Sequence, residues 1–234
     1  IMPPKHKMEE WGKKNTKYVN NCYNYATDKL NRAKTKDGKP TPKVHPATPG
    51  RSKGKCPFIL PLTETKLENG GVVIEYRITC ESLKEACIAD GLHYIGKEGY
   101  CQKPGHEECW RVAFFIKKDK VGKQEGTTRK FIDEFHFARE DERAKPATQD
   151  SPARPAKWSH KCCWDDGHGA TDKCITRIHE TDKDGNVRLE YGDPITDPST
   201  QEIKPGFTFC GYLCCCPKDV KVAYLDPSKM IQGG

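Results

Sequence analysis

Asn20-Asn21-Cys22-Tyr23-Asn24-Tyr25-Ala26 is the stretch from which the fold is read. Cys22, Ala26, Leu30 and Ala33 follow one another at four-, four- and three-residue spacing, which places them on one face of a helix. The spacing predicts a helix from about Asn21 to Ala33, with Asn20 or Asn21 as N-cap, because an Asn side chain accepts from the orphan N–H groups of a first turn. A thiol in that turn sees the positive end of the helix dipole, which favours thiolate over thiol. This is how a nucleophilic cysteine is made. The same spacing also suits a buried or disulfide-bonded cysteine in a small helix, and spacing alone does not separate the two.

Residues 1–19 read as a basic, polar arm, and 34–57, with five prolines and three glycines, as a long irregular surface loop. Asn69-Gly70-Gly71 is a turn signal. Val72 to Ile78 then reads as a strand or as the entry to the next helix, and Ser82 to Ala89 as a helix with Leu83, Ala86 and Cys87 on one face, stopped by Asp90-Gly91. Trp110-Arg111-Val112-Ala113-Phe114-Phe115-Ile116 is the most apolar run and reads as a buried strand. In Phe131 to Arg139, Phe135 and Phe137 point one way and His136 the other. Trp158-Ser159-His160-Lys161 is a short strand with Trp158 and His160 on one face. Turns are expected at Asp184-Gly185-Asn186 and Gly192-Asp193-Pro194, and a last strand from Phe207 to Cys214. The organisation expected is α+β: a single domain over 20–217, a helix-bearing half and a sheet-bearing half, followed by a C-terminal tail over 218–234.

The chain of 234 residues is 35% hydrophobic and 31% charged, with a mean hydropathy of -0.85. That is a thin supply for a core of this size. The thirteen cysteines are the expected remedy. Twelve would make six disulfides, which belong to an oxidising compartment and predict a secreted, extracellular protein. Cys22, 34 residues ahead of the next cysteine, is the natural one to stay free. Zinc is the competing use, but no pair of CxxC motifs is present, and the adjacent Cys162-Cys163 and Cys214-Cys215-Cys216 suit disulfides better than tetrahedral chelation. No cofactor and no bound metal is therefore expected. No apolar run reaches the 18 or more residues of a membrane span, and the opening Ile1 predicts a processed mature form. The net charge of +7 draws the surface toward anionic partners such as cell walls, membranes or nucleic acid, although a solvated basic surface accounts for it as well.

A thiolate nucleophile needs an imidazole in hydrogen-bond reach and a polar group to orient that imidazole. Cys22, His136 and His160 follow in the order of a papain-like site: cysteine on a helix, histidine on a central strand, polar residue on its neighbour. His136 interrupts an otherwise aromatic strand. His106 is a further candidate, and Asp133, Glu134 and Asp141 are candidate orienters. Each has a plain alternative as a satisfied histidine or a solvated acid.

The blocks Asn20 to Ala26, Ala47-Thr48-Pro49-Gly50-Arg51, Asp90-Gly91-Leu92, Arg111 to Phe115, Phe135-His136-Phe137-Ala138-Arg139, Trp158-Ser159-His160-Lys161, Ile195-Thr196-Asp197-Pro198 and Phe209-Cys210-Gly211-Tyr212 resemble, in the same order, a family of bacterial, phage and eukaryotic proteins. The resemblance covers residues 20 to about 217. That family is classed with the papain-like cysteine hydrolases of the NlpC type, which cut amide bonds in peptidoglycan peptides and related substrates. The resemblance implies a helix carrying Cys22 packed on a central antiparallel sheet, with Cys22 as nucleophile and a peptide, protein or peptidoglycan-type amide as substrate. In NlpC-type enzymes the base histidine immediately precedes an apolar strand, and here Arg111 holds that place. Two expectations follow: His136 acts as base with His160 as its orienter, or the site has lost its base. The first gives a thiol peptidase, amidase, deamidase or transglutaminase-like acyltransferase. The second gives a non-catalytic, secreted, cationic, cysteine-rich binding protein or toxin.

Overall fold

The computed structural model describes residues 20–30, 47–68, 72–101, 108–118, 122–123, 129–131, 133–161, 180–181, 187–188, 195–203 and 206–223. At its centre is a five-stranded antiparallel sheet in the order β3-β11-β4-β7-β8, built from His93–Gly96 (β3), Trp110–Lys117 (β4), Glu134–Glu142 (β7), Lys157–Ser159 (β8) and Thr208–Cys215 (β11). A second sheet, in the order β1-β2-β6-β5, joins Thr63–Lys66 (β1), Val72–Tyr76 (β2), Gly122–Lys123 (β5) and Arg129–Phe131 (β6), with β2 and β6 parallel. Glu180–Thr181 (β9) and Val187–Arg188 (β10) form a two-stranded ribbon.

The central sheet is covered on both faces, so β4 is buried from Trp110 to Ile116, as its unbroken apolar run predicts. Strand alternation sorts the side chains. Trp110, Val112, Phe114, Ile116, Phe137, Leu213 and Cys215 belong to one core. Ala113, Phe115, Ala138, Trp158 and Tyr212 belong to the other. Two helices, Cys22–Ala26 (α1) and Cys80–Ala89 (α2), supply Cys22, Tyr23, Ala26, Leu83 and Cys87 to the first core. In α2 the buried residues are Leu83, Ala86 and Cys87, and Asp90 is its C-cap, as the spacing predicts. Its N-terminus carries a capping box between Thr79 and Ser82. Gly91 follows at φ +97°, and a Cβ there would lie 2.2 Å from the Asp219 carbonyl oxygen. Only glycine fits that turn.

The first helix is shorter than its spacing predicts. It ends at Ala26, because Thr27 is the C-cap, its hydroxyl donating to the Tyr23 and Asn24 carbonyls, and Asp28 takes φ 52°. An L-residue in that left-handed region cannot continue a right-handed helix. Ala33 lies outside the described residues.

The architecture is α+β and disulfide-rich, as expected. Cys80–Cys210, Cys101–Cys214 and Cys109–Cys216 pin β11 to α2 and to the chain before β4. Cys22 belongs to none of these three disulfides, and neither do Cys56, Cys87 and Cys215. The expectation of a single spare cysteine is corrected for a steric reason. On β11 the pleat turns Cys215 into the helix-side core, away from Cys214 and Cys216, whose sulfurs meet those of Cys101 and Cys109 on the other side. Cys162, Cys163 and Cys174, the arm 1–19, and the turns at 69–71, 184–186 and 192–194 lie outside the described residues. Among those described, no helix is long and apolar enough to cross a membrane.

Candidate functional site

Around Cys22 the chain builds a closely bonded shell. Asn21 caps α1, its side-chain oxygen accepting from the Tyr23 and Asn24 backbone N–H groups at 3.0 Å each, while Asn24 returns a bond to the Asn21 N–H. The same two asparagines fasten Ala47: the Asn21 amide donates to its carbonyl at 2.8 Å, and its N–H donates to Asn24 Oδ1 at 3.0 Å. Asp90, at the end of α2, then accepts from the Tyr23 hydroxyl (2.8 Å), the Gly50 N–H (2.7 Å), and both the N–H (3.2 Å) and hydroxyl (2.5 Å) of Ser52. Burial pushes the Asp90 carboxyl up, with these hydrogen bonds opposing the shift only in part. Burial likewise carries the Tyr23 phenol well above its ordinary value, with Cys87 and Asp90 adding to the effect.

Further along the same face, Tyr25 and Ser159 share a hydroxyl–hydroxyl hydrogen bond of 2.7 Å. The fully buried Arg139 donates to the Tyr25 hydroxyl and carbonyl, to Asp28 and to Asp141. Trp110 closes the underside, its Nε1–H donating to the Ala26 carbonyl at 2.8 Å. Cys22 sits in this assembly with 2% of its surface exposed.

His136 and His160 are brought together, on the other face. His136 Nε2 lies 2.6 Å from His160 Nδ1, with the rings at 89°. Both are fully buried, and Phe207 stands edge-on to His136. A contact between two imidazole nitrogens needs one N–H and one lone pair, so at this contact one ring donates and the other accepts. His136 pairs in register with Phe115, a member of the second core, whereas Cys22 is packed with Phe137 and Phe114 in the first. The central sheet therefore runs between the thiol and the two imidazoles. His93, the other described histidine, is exposed in β3 beside Asp219, and His106 lies outside the described residues.

Two of the candidate orienters, Asp133 and Asp141, are engaged elsewhere. Asp133 accepts from the Ile78 N–H and pairs with Lys118 and Arg77, and Asp141 holds Arg139. Arg111, which precedes Val112 in β4, donates through Nε and Nη2 to Glu140 Oε1 at 3.1 and 2.6 Å. Its guanidinium lies 4.5, 5.0 and 5.2 Å from the ring centroids of Tyr100, Trp158 and Tyr212. Burial opposes its charge, but the Glu140 hydrogen bond and charge outweigh that and keep it firmly protonated.

Comparisons with family models, curated proteins and solved structures find no match. The site is thus read from its own geometry. Asp90, Tyr25, Ser159 and Glu140 are its unforeseen members. The only sequence signal for them is their membership of, or adjacency to, the blocks Asp90-Gly91-Leu92, Asn20 to Ala26, Trp158 to Lys161 and Phe135 to Arg139. As arranged here, and among the described residues, the helix face holds the Cys22 sulfur with no histidine beside it, and the far face holds the histidine pair with no cysteine beside it.

Proposed function

We propose that this chain is an extracellular, disulfide-stapled, cationic binding domain in which Cys22, His136 and His160 are structural. The observation that supports it is the sheet standing between sulfur and imidazoles, since proton transfer from thiol to base needs hydrogen-bond reach. The partner this reading implies is a polyanion. Arg51, Lys53 and Lys55 project from the 3-10 turn Arg51–Lys53 and its C-terminal flank, a turn held from behind by Asp90. Among the described residues none forms an ion pair with these three cations. Binding of the intact protein to anionic vesicles should weaken steeply with salt. Lys53→Ala with Lys55→Ala should lower the affinity about 30-fold, at roughly 1 kcal/mol per cation near an anionic surface. Unchanged affinity would remove the turn from the interface.

A second reading is favoured by one observation: Cys22 stands at a capped helix start, outside the three disulfides that join six other cysteines. It is the papain-like, NlpC-type hydrolase or acyltransferase. In that reading the Cys22 thiolate attacks an amide carbonyl, an imidazolium protonates the departing amine, and water or an amine resolves the thioester. It requires His136 to reach the helix face. Iodoacetamide labelling of the native, non-reduced protein separates the two. The binding-domain reading expects Cys22 to react only as fast as the fold opens, and Cys22→Ala to leave any cleavage of a peptidoglycan stem peptide unchanged. Rapid labelling at Cys22, with cleavage abolished in Cys22→Ala, would establish the enzyme instead.

A further inference from the structure

Four sulfurs meet where β11 ends. Cys101, Cys109, Cys214 and Cys216 form a separate buried cluster, paired as Cys101–Cys214 and Cys109–Cys216. The sulfurs of Cys109, Cys214 and Cys216 all lie within 4.8 Å of one another, and Cys101 is bonded to one of them. A tetrahedral zinc ion with Zn–S bonds of about 2.3 Å needs sulfurs about 3.8 Å apart. Three of the four sulfurs are thus already gathered, and opening the two S–S bonds lets each bonded pair spread toward that spacing, with Cys101 following from its place beside Cys214.

Its donors are arranged as a chelate. Cys214 and Cys216 are two residues apart at the end of a strand, so they share a side, while Cys215 turns into the helix-side core. Cys101 and Cys109 approach from the segment that leads into β4. A cation beside them, Arg143, suits a dianionic four-thiolate centre. Arg143 donates to the Cys109 carbonyl, and His93, opposite Cys214 in the β3–β11 register, lies 3.5 Å from Asp219. His93, Asp219 and Cys216 themselves bring ligand atoms within 4.8 Å of one another. This places further donors, His93 and Asp219, at the exposed rim of the cluster.

We propose that these four cysteines form a second, reduced state of the same tie: a four-thiolate site for zinc or an ion of similar softness. A dithiol is the reductant. Two equivalents give four electrons and four protons to the two disulfides and end as two disulfides themselves. The zinc ion then displaces four protons from the four thiols and makes four Zn–S bonds. Either state holds the chain before β4 against the end of β11, so the fold survives a change of redox compartment with its tie converted and not lost.

The test uses the full chain, reduced with excess dithiol and freed of it without air. Zinc is added, stoichiometry is read by native mass spectrometry, and the alkylation rate of every cysteine by N-ethylmaleimide and peptide mapping. One zinc per chain is expected, with alkylation of Cys101, Cys109, Cys214 and Cys216 slowed at least tenfold and that of the half-exposed Cys56 unchanged. The oxidised chain should take up none. Cys214→Ser should lose the ion; if that variant fails to fold, the wild-type footprint decides alone. No zinc uptake by the reduced chain, or protection of a different set such as Cys162, Cys163 and Cys174, would overturn the proposal.

Discussion

Asp90 joins α1, the loop after Ala47 and the end of α2 through one carboxylate. Because burial raises its pKa in the fold, the native state holds that proton more tightly than the unfolded chain does. Stability from this group therefore falls as pH rises from the ordinary carboxylate value through the raised one. Urea melts across that range should show the slope, and Asp90→Asn should flatten it. Asp90→Ala, which strands the Tyr23, Gly50 and Ser52 donors, should cost about 3 kcal/mol. Arg111 and Glu140 make a sharper case, since both are buried. Arg111→Met alone should cost about 3–5 kcal/mol by leaving a carboxylate without its partner, whereas Arg111→Met with Glu140→Leu should recover most of the loss. Equal losses in single and double variants would mean that the aromatic stack on Arg111, and not the ion pair, carries its worth.

At the scale of elements, α1 is too short to hold itself, because isolated helices of a few residues are unstable in water. Its caps and its contacts do the holding. Asn21→Ala removes two cap bonds and the tie to Ala47, and should cost about 1–2 kcal/mol in a thermal or denaturant melt. This is also where sequence and structure part. The alternation of Phe135, His136 and Phe137, the buried run of β4, and the face and stop of α2 were all legible, because each is a local period that a strand or helix must obey. The end of α1 was not. Asp28 is paired with Arg139, which lies 111 residues away, and no window of local sequence contains that partner. Nor does a period of two say which face of a sheet a distant helix will cover. Alternation separates His136 from Phe137, but only packing decides that α1 sits on Phe137, with Tyr23 at 4.9 Å from its ring. The histidine pair itself was legible, with His160 expected to orient His136, but the face it takes relative to Cys22 was not.

For the whole molecule, a sparse apolar supply is offset by long covalent loops. Cys80–Cys210 spans 130 residues and joins the start of α2 to β11. Replacing both with serine should cost about 2–5 kcal/mol, by releasing the unfolded chain from that closure, and denaturant melts of the otherwise oxidised protein measure it. The blocks quoted from the sequence also turn out to touch one another. Asn21 meets Ala47, Tyr23 meets Asp90, Tyr25 meets Ser159 and Arg139, Trp158 pairs with Ile195, and Tyr212 reaches Asp197. They were legible as blocks, while their mutual contact is a property of the assembled chain. The three successive cysteines at the end of β11 carry one more consequence. The pleat turns Cys215 away from the bonded sulfurs on either side of it, and burial keeps its thiol protonated. An attacking thiolate is thus insulated from two scissile bonds a residue away for as long as the strand stays flat. Shuffling of these bridges on storage should then follow the rate at which the strand peels open, and not the alkalinity of the buffer alone.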